Sequence, residues 1–165
     1  MAVINDYVDS IVAAGKLTSF GNAKDVFIIP VTFEVAAADS DGSIYRILKN
    51  VDPNLILIQA RLACDAITGG TSYDFGVYLP LSEGGAEVDA NCFASAMNIS
   101  AGYSRILALD ALVTLDLADV QKRIYEVAGH TLATRKRGYD LALTANTVGS
   151  GAGTISMFLT FAQGY

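Results

Sequence analysis

Short segments in which apolar and polar residues alternate constrain the fold of this chain most strongly. The clearest covers residues 26–36 and sets one series against another: Ile29, Val31, Phe33 and Val35 against Pro30, Thr32 and Glu34. A period of two is typical of a β-strand that buries one face. Similar segments predict strands at 43–49, 55–65, 72–79, 138–146 and 154–163. The sequence therefore predicts a mainly β protein.

The length fits a single domain. A chain of 165 residues buries roughly 70% of its unfolded surface on folding, so it needs neither a disulfide nor a metal. We expect an N-terminal arm and connection over residues 1–24 and a single β-sandwich domain over residues 25–165.

The charge balance argues against a nucleic-acid partner. Eleven Lys and Arg stand against 17 Asp and Glu, which gives a net charge of −6, whereas phosphate binding needs clustered cations. We therefore expect no nucleic acid and no anionic membrane as partner. Residues 1–7 lack the basic start and long apolar stretch of a secretory signal, so we also expect no export.

Two cysteines do not make a disulfide framework in a chain of this size. We expect Cys64 and Cys92 to be reduced thiols, with Cys64 acting as a small hydrophobic residue. Alternation over 55–65 places five residues on one face of that strand: Ile56, Ile58, Ala60, Leu62 and Cys64.

The first residues have helical spacing. An amphipathic helix over 4–14 would carry its apolar face on Ile4, Tyr7, Val8, Ile11 and Val12. An isolated helix of about eleven residues is marginal in water. This candidate interaction arm either reaches a neighbouring molecule or packs on its own sandwich, and the sequence leaves both open.

Two further helices are predicted between the β segments. Residues 116–128 place Leu117, Val120, Ile124 and Val127 in one stripe, with Gly129 as the stop. Residues 89–97 are predicted to form a short helix that begins at Asp89 as its cap.

Two loops have turn signals. Asp41-Gly42 between alternating segments predicts a β-hairpin, and Gly149, Gly151 and Gly153 predict a hairpin tip before the last strand. Asp39 and Asp41 resemble the beginning of a calcium loop, but the later ligand positions are missing, so a turn is the better interpretation.

The sequence offers little for catalysis. His130 follows the predicted helix 116–128 and is interpreted as its cap. No Gly-x-Ser-x-Gly elbow is present, and the glycines at 149–153 lack the residues of a phosphate-binding loop. A glycosidase carboxylate pair stays open, although the chain has no Trp for sugar stacking. We predict no catalytic residue, no cofactor and no metal.

Arg135, Lys136 and Arg137 form the one basic cluster of the sequence. Short charge runs are commonly solvated loops. The alternative is a docking loop that recognises an acidic surface.

From about residue 41 onward the chain contains the strand-and-turn segments Asp41–Arg46, Asp65–Tyr78, Val88–Ala90 and Tyr139–Thr147. These segments resemble structural proteins of tailed bacteriophages, and most of all head decoration (cement) proteins.

The resemblance implies a jelly-roll-like β-sandwich made in the host cytoplasm and located on the outer surface of the capsid. It implies two partners, the major capsid protein and further copies of the chain as a homodimer or homotrimer. The expected function is non-catalytic stabilisation of the head. A tail or baseplate component and a carbohydrate-binding jelly roll are the alternatives.

Overall fold

The structure is a computed structural model that describes residues 3–8, 26–107 and 122–163. These ranges contain nine strands and one α-helix: β1 (Asn5–Tyr7), β2 (Phe27–Val35), β3 (Ser43–Val51), β4 (Leu55–Cys64), β5 (Ser72–Tyr78), β6 (Glu87–Met97), β7 (Tyr103–Leu107), α1 (Ile124–Val127), β8 (Tyr139–Thr147) and β9 (Gly153–Gln163). A 3₁₀ turn, Leu81–Glu83, lies between β5 and β6. The prediction of a mainly β protein is confirmed.

The strands form two sheets. One has the order β1-β3-β8-β5-β6, and the other has the order β2-β9-β4-β7. β1 runs parallel to β3, whereas the other neighbours are antiparallel. Among the nine described strands, β6 is the only one that lies in the same sheet as the strand before it in the chain. Most pairings are therefore between strands distant in sequence.

The inward faces of both sheets contribute to one hydrophobic core. On β2, Val31, Phe33 and Val35 are at most 1% exposed, as the alternation predicts. The ring of Phe33 lies 5.4 Å from the ring of Tyr45 on β3, which belongs to the other sheet. Burying each such side chain stabilises the fold by about 1.5–3 kcal/mol. The six strands predicted from alternation are all present.

Both hairpin predictions are wrong, although both turns exist. Gly42 has a φ of +83° and Gly149 a φ of +90°, which are the left-handed values that favour glycine. However, β2 pairs with β9 and β3 pairs with β8, so each turn carries the chain from one sheet to the other. A turn signal reports local backbone conformation and not which strands pair.

The prediction that Ile56 and Ile58 lie on the same face of β4 as Ala60 and Leu62 is wrong. A bulge between Leu57 and Gln59 inserts Ile58 into the pairing with β9. Leu55 and Leu57 are therefore buried before the bulge, whereas Ala60 and Leu62 are buried after it. An extra residue reverses the alternation of a strand, and it leaves Ile58 exposed.

Residues 89–97 are not a helix. They belong to β6, which pairs with β5 at the edge of its sheet. A Cβ at Gly76 of β5 would lie 2.1 Å from the carbonyl oxygen of Asp89, so glycine lets the two strands approach closely. Pairing with β5 here outweighs the helical preference of an alanine-rich segment.

The N-terminal helix is wrong for the part that the structure describes. Asn5–Tyr7 is β1 at the edge of the five-stranded sheet, and Ile4 accepts a 2.6 Å hydrogen bond from the backbone N–H of Ile44. Ile11 and Val12 lie outside the described residues.

Of the helix predicted over 116–128, the described part is helical at Ile124–Val127. Arg123 is extended, with φ −70° and ψ 158°, and α1 begins at Ile124, so no continuous helix passes through this point. Gly129, with a φ of +71°, follows the helix end as predicted. Leu117 and Val120 lie outside the described residues. In the parts of the chain that are described, no helix is long and apolar enough to cross a membrane.

Candidate assembly surfaces

A buried arginine organises the edge where β1 joins the protein. The Arg46 guanidinium pairs with the Asp140 carboxylate at 2.9 Å, and both side chains are 0% exposed. It also donates hydrogen bonds to Asn5 Oδ1 at 3.0 Å and to the carbonyl oxygens of Leu79 at 2.9 Å and Gly85 at 2.6 Å. The guanidinium thereby joins β1 and the 80–85 loop to β3 and β8.

Sequence analysis did not find this pair. The available signal was a charged residue at Arg46 and at Asp140 inside otherwise apolar strands, because a charge at such a position is expected to be paired. Their partners could not be identified, since 94 residues separate them.

The described arm residues pack on the protein itself. Ile4 and Val8 are half-buried against the core. The Tyr7 ring lies 5.5 Å from the Lys49 ammonium, and its hydroxyl accepts a 3.4 Å hydrogen bond from the backbone N–H of Leu81. Of the two possibilities left open for the arm, these three residues follow the intramolecular one. A contact with a neighbour through Ile11 and Val12 stays a prediction.

The basic cluster lies on an exposed loop between α1 and β8. Arg135 donates a hydrogen bond to Asn54 Oδ1 and lies 5.8 Å from the Tyr125 ring, so this side chain is held against the domain. All three side chains of the cluster are exposed. Because Arg135 is held by these contacts, the residues of the candidate docking loop best placed to meet a partner are Lys136 and Arg137.

His130 contacts a tyrosine. Its backbone N–H donates to the Tyr125 carbonyl oxygen at 2.8 Å and so satisfies a carbonyl near the end of α1. Its imidazole Nδ1 is hydrogen-bonded to the Tyr139 hydroxyl, and the two rings stack at 5.7 Å. The residue caps the helix through its backbone, whereas its ring fastens this loop to β8.

The carboxylates at the opposite end of the domain hold loops. Asp39 Oδ2 accepts hydrogen bonds from the Tyr45 hydroxyl at 2.7 Å and from the Ala36 N–H at 3.0 Å. Asp41 Oδ1 accepts one from the Val148 N–H at 2.9 Å. These contacts are those of turns. Within residues 3–8, 26–107 and 122–163, no group of three or more His, Cys, Asp or Glu is placed to hold a metal ion.

The cysteines lie in different sheets. Cys64 is on β4 and Cys92 is on β6, and both are thiols. Burial raises the pKa of the Cys92 thiol, which keeps it protonated at neutral pH and makes it a poor nucleophile.

Four exposed hydrophobic side chains lie on or directly beside the outward side of the four-stranded sheet, which also carries the exposed polar residues Glu34, Gln59 and Arg61. Val26 is 60% exposed, Ile28 62%, and Ile58 and Phe158 43% each. They include most of the large hydrophobic side chains that are exposed in the described residues; the others are Val3 and Leu132. Exposed Pro30 lies directly opposite Phe158 across β2 and β9. We call these five residues the outer apolar face.

The outer apolar face has a partial signal in the sequence. Ile28 and Phe158 occupy outward positions, where the alternation predicts polar residues. Ile58 joins them because of the bulge in β4, which the sequence does not reveal. Contiguous exposed apolar surface on a folded protein commonly marks a site of interaction.

Comparison with known proteins identifies a shared fold. No protein-family model matches the chain, and the search of curated proteins gives no match. A chain in the structure "Capsid of Ralstonia phage GP4" superposes with a TM-score of 0.60 at 16% identity, over 96% of this chain and 97% of that chain. A chain in the "Cyanophage Pam1 capsid asymmetric unit" gives 0.49 at 10% identity, over 90% and 94%, which is too weak to carry an argument. The first comparison establishes similarity of fold over nearly the whole length of both chains.

Proposed function

We propose that this chain is a non-catalytic decoration protein of a bacteriophage head, which binds the major capsid protein lattice and stabilises it. The observation that carries the proposal is the fold shared with a chain of the Ralstonia phage GP4 capsid structure. Nearly all of each chain takes part in the superposition, so the whole domain corresponds and not a single motif. The phage-like segments of the sequence independently support the same assignment.

The strand order supports a jelly-roll sandwich. Without β1, the five-stranded sheet reads β3-β8-β5-β6 and the other sheet reads β2-β9-β4-β7. Eight strands shared between two four-stranded antiparallel sheets, with repeated crossings between them, are the arrangement of two Greek keys. β1 then adds a ninth strand to one edge.

Several side chains of the types used in catalysis make contacts within the fold, which agrees with a structural function. His130 is bound to Tyr139, and the Asp140 carboxylate is paired with Arg46. Asp74 accepts hydrogen bonds from the Ala96 N–H at 2.7 Å and from the Asn146 amide at 2.7 Å. Each of these groups has a role in holding the fold, which supports a protein that acts through its surfaces.

We propose the docking loop Arg135–Arg137 as a contact with the capsid lattice. The chain carries a net charge of −6, so exposed Lys136 and Arg137 are local exceptions in an acidic protein. Exposed cations of this kind steer association with an acidic patch and set its orientation, and salt weakens the contact.

The first test is the copy number of this chain in purified phage particles, measured by quantitative mass spectrometry against the major capsid protein. A ratio near that of the lattice supports decoration. A few copies per particle would move the chain to the tail or baseplate. Absence from particles would overturn the proposal and direct attention to the carbohydrate-binding alternative, which a glycan array tests.

The docking loop is tested by adding purified protein back to particles that lack it. We expect Lys136→Glu with Arg137→Glu to reduce binding by about tenfold or more, because charge reversal on a steering loop introduces repulsion. The matched control is Lys136→Arg with Arg137→Lys, which keeps the charge and is expected to bind normally. Equal binding by both double variants would remove this loop from the proposal.

A further inference from the structure

The end of the sandwich at which β8 begins is rich in positive charge. Residues 122–137 contain five Lys and Arg and a single acidic residue. Contacts between three connections assemble this end, because Arg135 donates a hydrogen bond to Asn54 Oδ1 and the Tyr125 N–H donates one to the Pro53 carbonyl oxygen at 3.2 Å. We call four of its side chains the cationic end: Arg123, Arg135, Lys136 and Arg137.

Exposed carboxylates lie at the opposite end of the sandwich, and we call Glu34, Asp41 and Asp65 the acidic end. Thr154, at the start of β9, joins two of them: its N–H donates to Asp65 Oδ2 at 3.1 Å and its hydroxyl donates to Glu34 Oε1 at 2.5 Å. Strand β8 runs from the cationic end to the acidic end through nine residues, which span roughly 30 Å. The domain therefore has a positive end and a negative end.

Two guanidiniums of the cationic end are held beside one tyrosine. The guanidinium carbons of Arg123 and Arg135 lie 6.0 Å and 5.8 Å from the centre of the Tyr125 ring, and Arg123 Nη1 donates a 3.0 Å hydrogen bond to the Tyr125 hydroxyl. Tyr125 is 4% exposed, so it is a fixed support. An arginine has five N–H donors, and within the described residues each guanidinium uses one of them, on Tyr125 or on Asn54. The other donors are already oriented, and their planar arrangement matches a carboxylate.

The carboxylates in the same connections are engaged in turns. Asp52 Oδ1 accepts hydrogen bonds from the Asn54 N–H at 2.8 Å and from the Asn54 side-chain amide at 2.9 Å. Glu126 Oε2 accepts one from the backbone N–H of Arg123 at 2.8 Å. The four cations of the cationic end outnumber these two carboxylates, so this end attracts negative charge.

We propose that the domain docks end-on, with the cationic end against a carboxylate-rich protein surface and the acidic end pointing away. Such a surface attracts one end and repels the other, so one orientation is selected as the two molecules approach. Acidic protein is favoured over nucleic acid because the aromatic ring at this end, Tyr125, is buried and offers no platform on which a base can stack. The inference rests on the proposed function and deepens it, because it identifies the end that meets the capsid lattice and adds Arg123 to the docking residues.

The orientation is tested with the wild-type chain added to phage particles that lack it, and the free chain is the reference. Acetylation measures access to Lys136, and carbodiimide coupling of glycine ethyl ester measures access to Asp41 and Asp65, both read by mass spectrometry. We expect binding to slow the modification of Lys136 by about fivefold or more, because a docked surface excludes solvent, and to leave both carboxylates unchanged. Protection of the two carboxylates, or no protection of Lys136, would overturn the proposal.

The chemistry of the partner is tested on the free chain with labelled poly-L-glutamate and with an oligothymidylate of equal charge. We expect poly-L-glutamate to bind more tightly, and Arg123→Gln to raise its dissociation constant about fivefold. Arg61→Gln is the matched control, because it removes one exposed charge from β4 and should change the binding little. Circular dichroism verifies the fold, and Lys136→Gln replaces Arg123→Gln if that variant does not fold. Tighter binding of the oligonucleotide, or equal weakening by the control, contradicts the proposal.

Failure here is distinguishable from failure of the proposed function. A chain that binds particles with Asp41 and Asp65 protected would refute the orientation and leave the decoration role intact. A chain that binds poly-L-glutamate through Arg123 but is absent from phage particles would do the reverse.

Discussion

Arg46 and Asp140 form a buried ion pair whose Nη1 and Oδ2 atoms lie 2.9 Å apart, with both side chains fully shielded from solvent. The second oxygen of Asp140 accepts a 2.8 Å hydrogen bond from the backbone N–H of Asn50. The Arg46 guanidinium also lies 5.2 Å from the centre of the Tyr78 ring. These additional contacts compensate for the removal of two charges from water.

Replacing one partner of this pair should strongly destabilise the fold. We expect Arg46→Met to lower the free energy of unfolding by about 3–5 kcal/mol, because it leaves the Asp140 carboxylate buried and unpaired. Urea unfolding measures the loss. Arg46→Met with Asp140→Leu should recover part of it, whereas Lys136→Met at an exposed position should change the stability little. A single variant as stable as the wild type contradicts this interpretation.

The contact between Asn5 and Arg46 should hold β1 on the sheet. We expect Asn5→Ala to lower the free energy of unfolding by about 1–2 kcal/mol, because the buried Nε group of Arg46 loses its acceptor. Val3→Ala is the control, since Val3 belongs to the same segment but is 61% exposed. Hydrogen exchange at the backbone N–H of Ile44, which donates to Ile4, should become faster in Asn5→Ala alone. Unchanged exchange would show that β1 is held by other contacts.

Alanine substitutions at Gly149 and Gly84 distinguish the cost of backbone strain from the cost of close packing. Their φ angles are +90° and +92°, so alanine costs about 1–2 kcal/mol of strain at either position. A Cβ at Gly149 would also lie 2.4 Å from the Thr68 carbonyl oxygen, whereas a Cβ at Gly84 meets no atom within 4 Å. We expect Gly149→Ala to be clearly the more destabilising variant in thermal melts. Equal losses would mean that the 148–152 loop moves aside without cost.

Stability should fall at alkaline pH. Burial raises the pKa of the Tyr45 and Tyr73 hydroxyls and of the Cys92 thiol above the values of 10.0 for tyrosine and 9.0 for cysteine. Above about pH 9 the unfolded chain therefore binds fewer protons than the folded one, so the free energy of unfolding decreases as the pH rises. It is unaffected by these groups below that pH.

The tyrosine contribution can be isolated with Tyr73→Phe. This variant should reduce the slope of stability against pH above pH 10 by up to about 1.4 kcal/mol per pH unit, the value for one proton. Urea unfolding at several pH values measures the slope. An unchanged slope would show that Tyr73 ionises in the folded protein as readily as in the unfolded chain.

Some of the candidate interaction residues could be predicted from the sequence, and others became visible only in the structure. The basic run Arg135–Arg137 is visible in the sequence and lies on the surface, whereas its role as a docking loop stays a prediction. The outer apolar face has only a partial signal, at Ile28 and Phe158, because its residues come from strands that are adjacent only after folding. The helix predicted for the arm is wrong over residues 4–8. Apolar residues at helical spacing can also form a short strand when the edge of a sheet is available for pairing, and here that edge is β3.

The sequence by itself determined where the main strands lie and which face of β2 is buried, because alternation is a local property of neighbouring residues. Only the tertiary structure decided the pairing of β2 with β9, the bulge at Ile58 and the burial of Arg46 beside Asp140. Each of these depends on contacts between residues far apart in the chain. Such contacts are selected by the free energy of the whole packed core, which no local pattern contains.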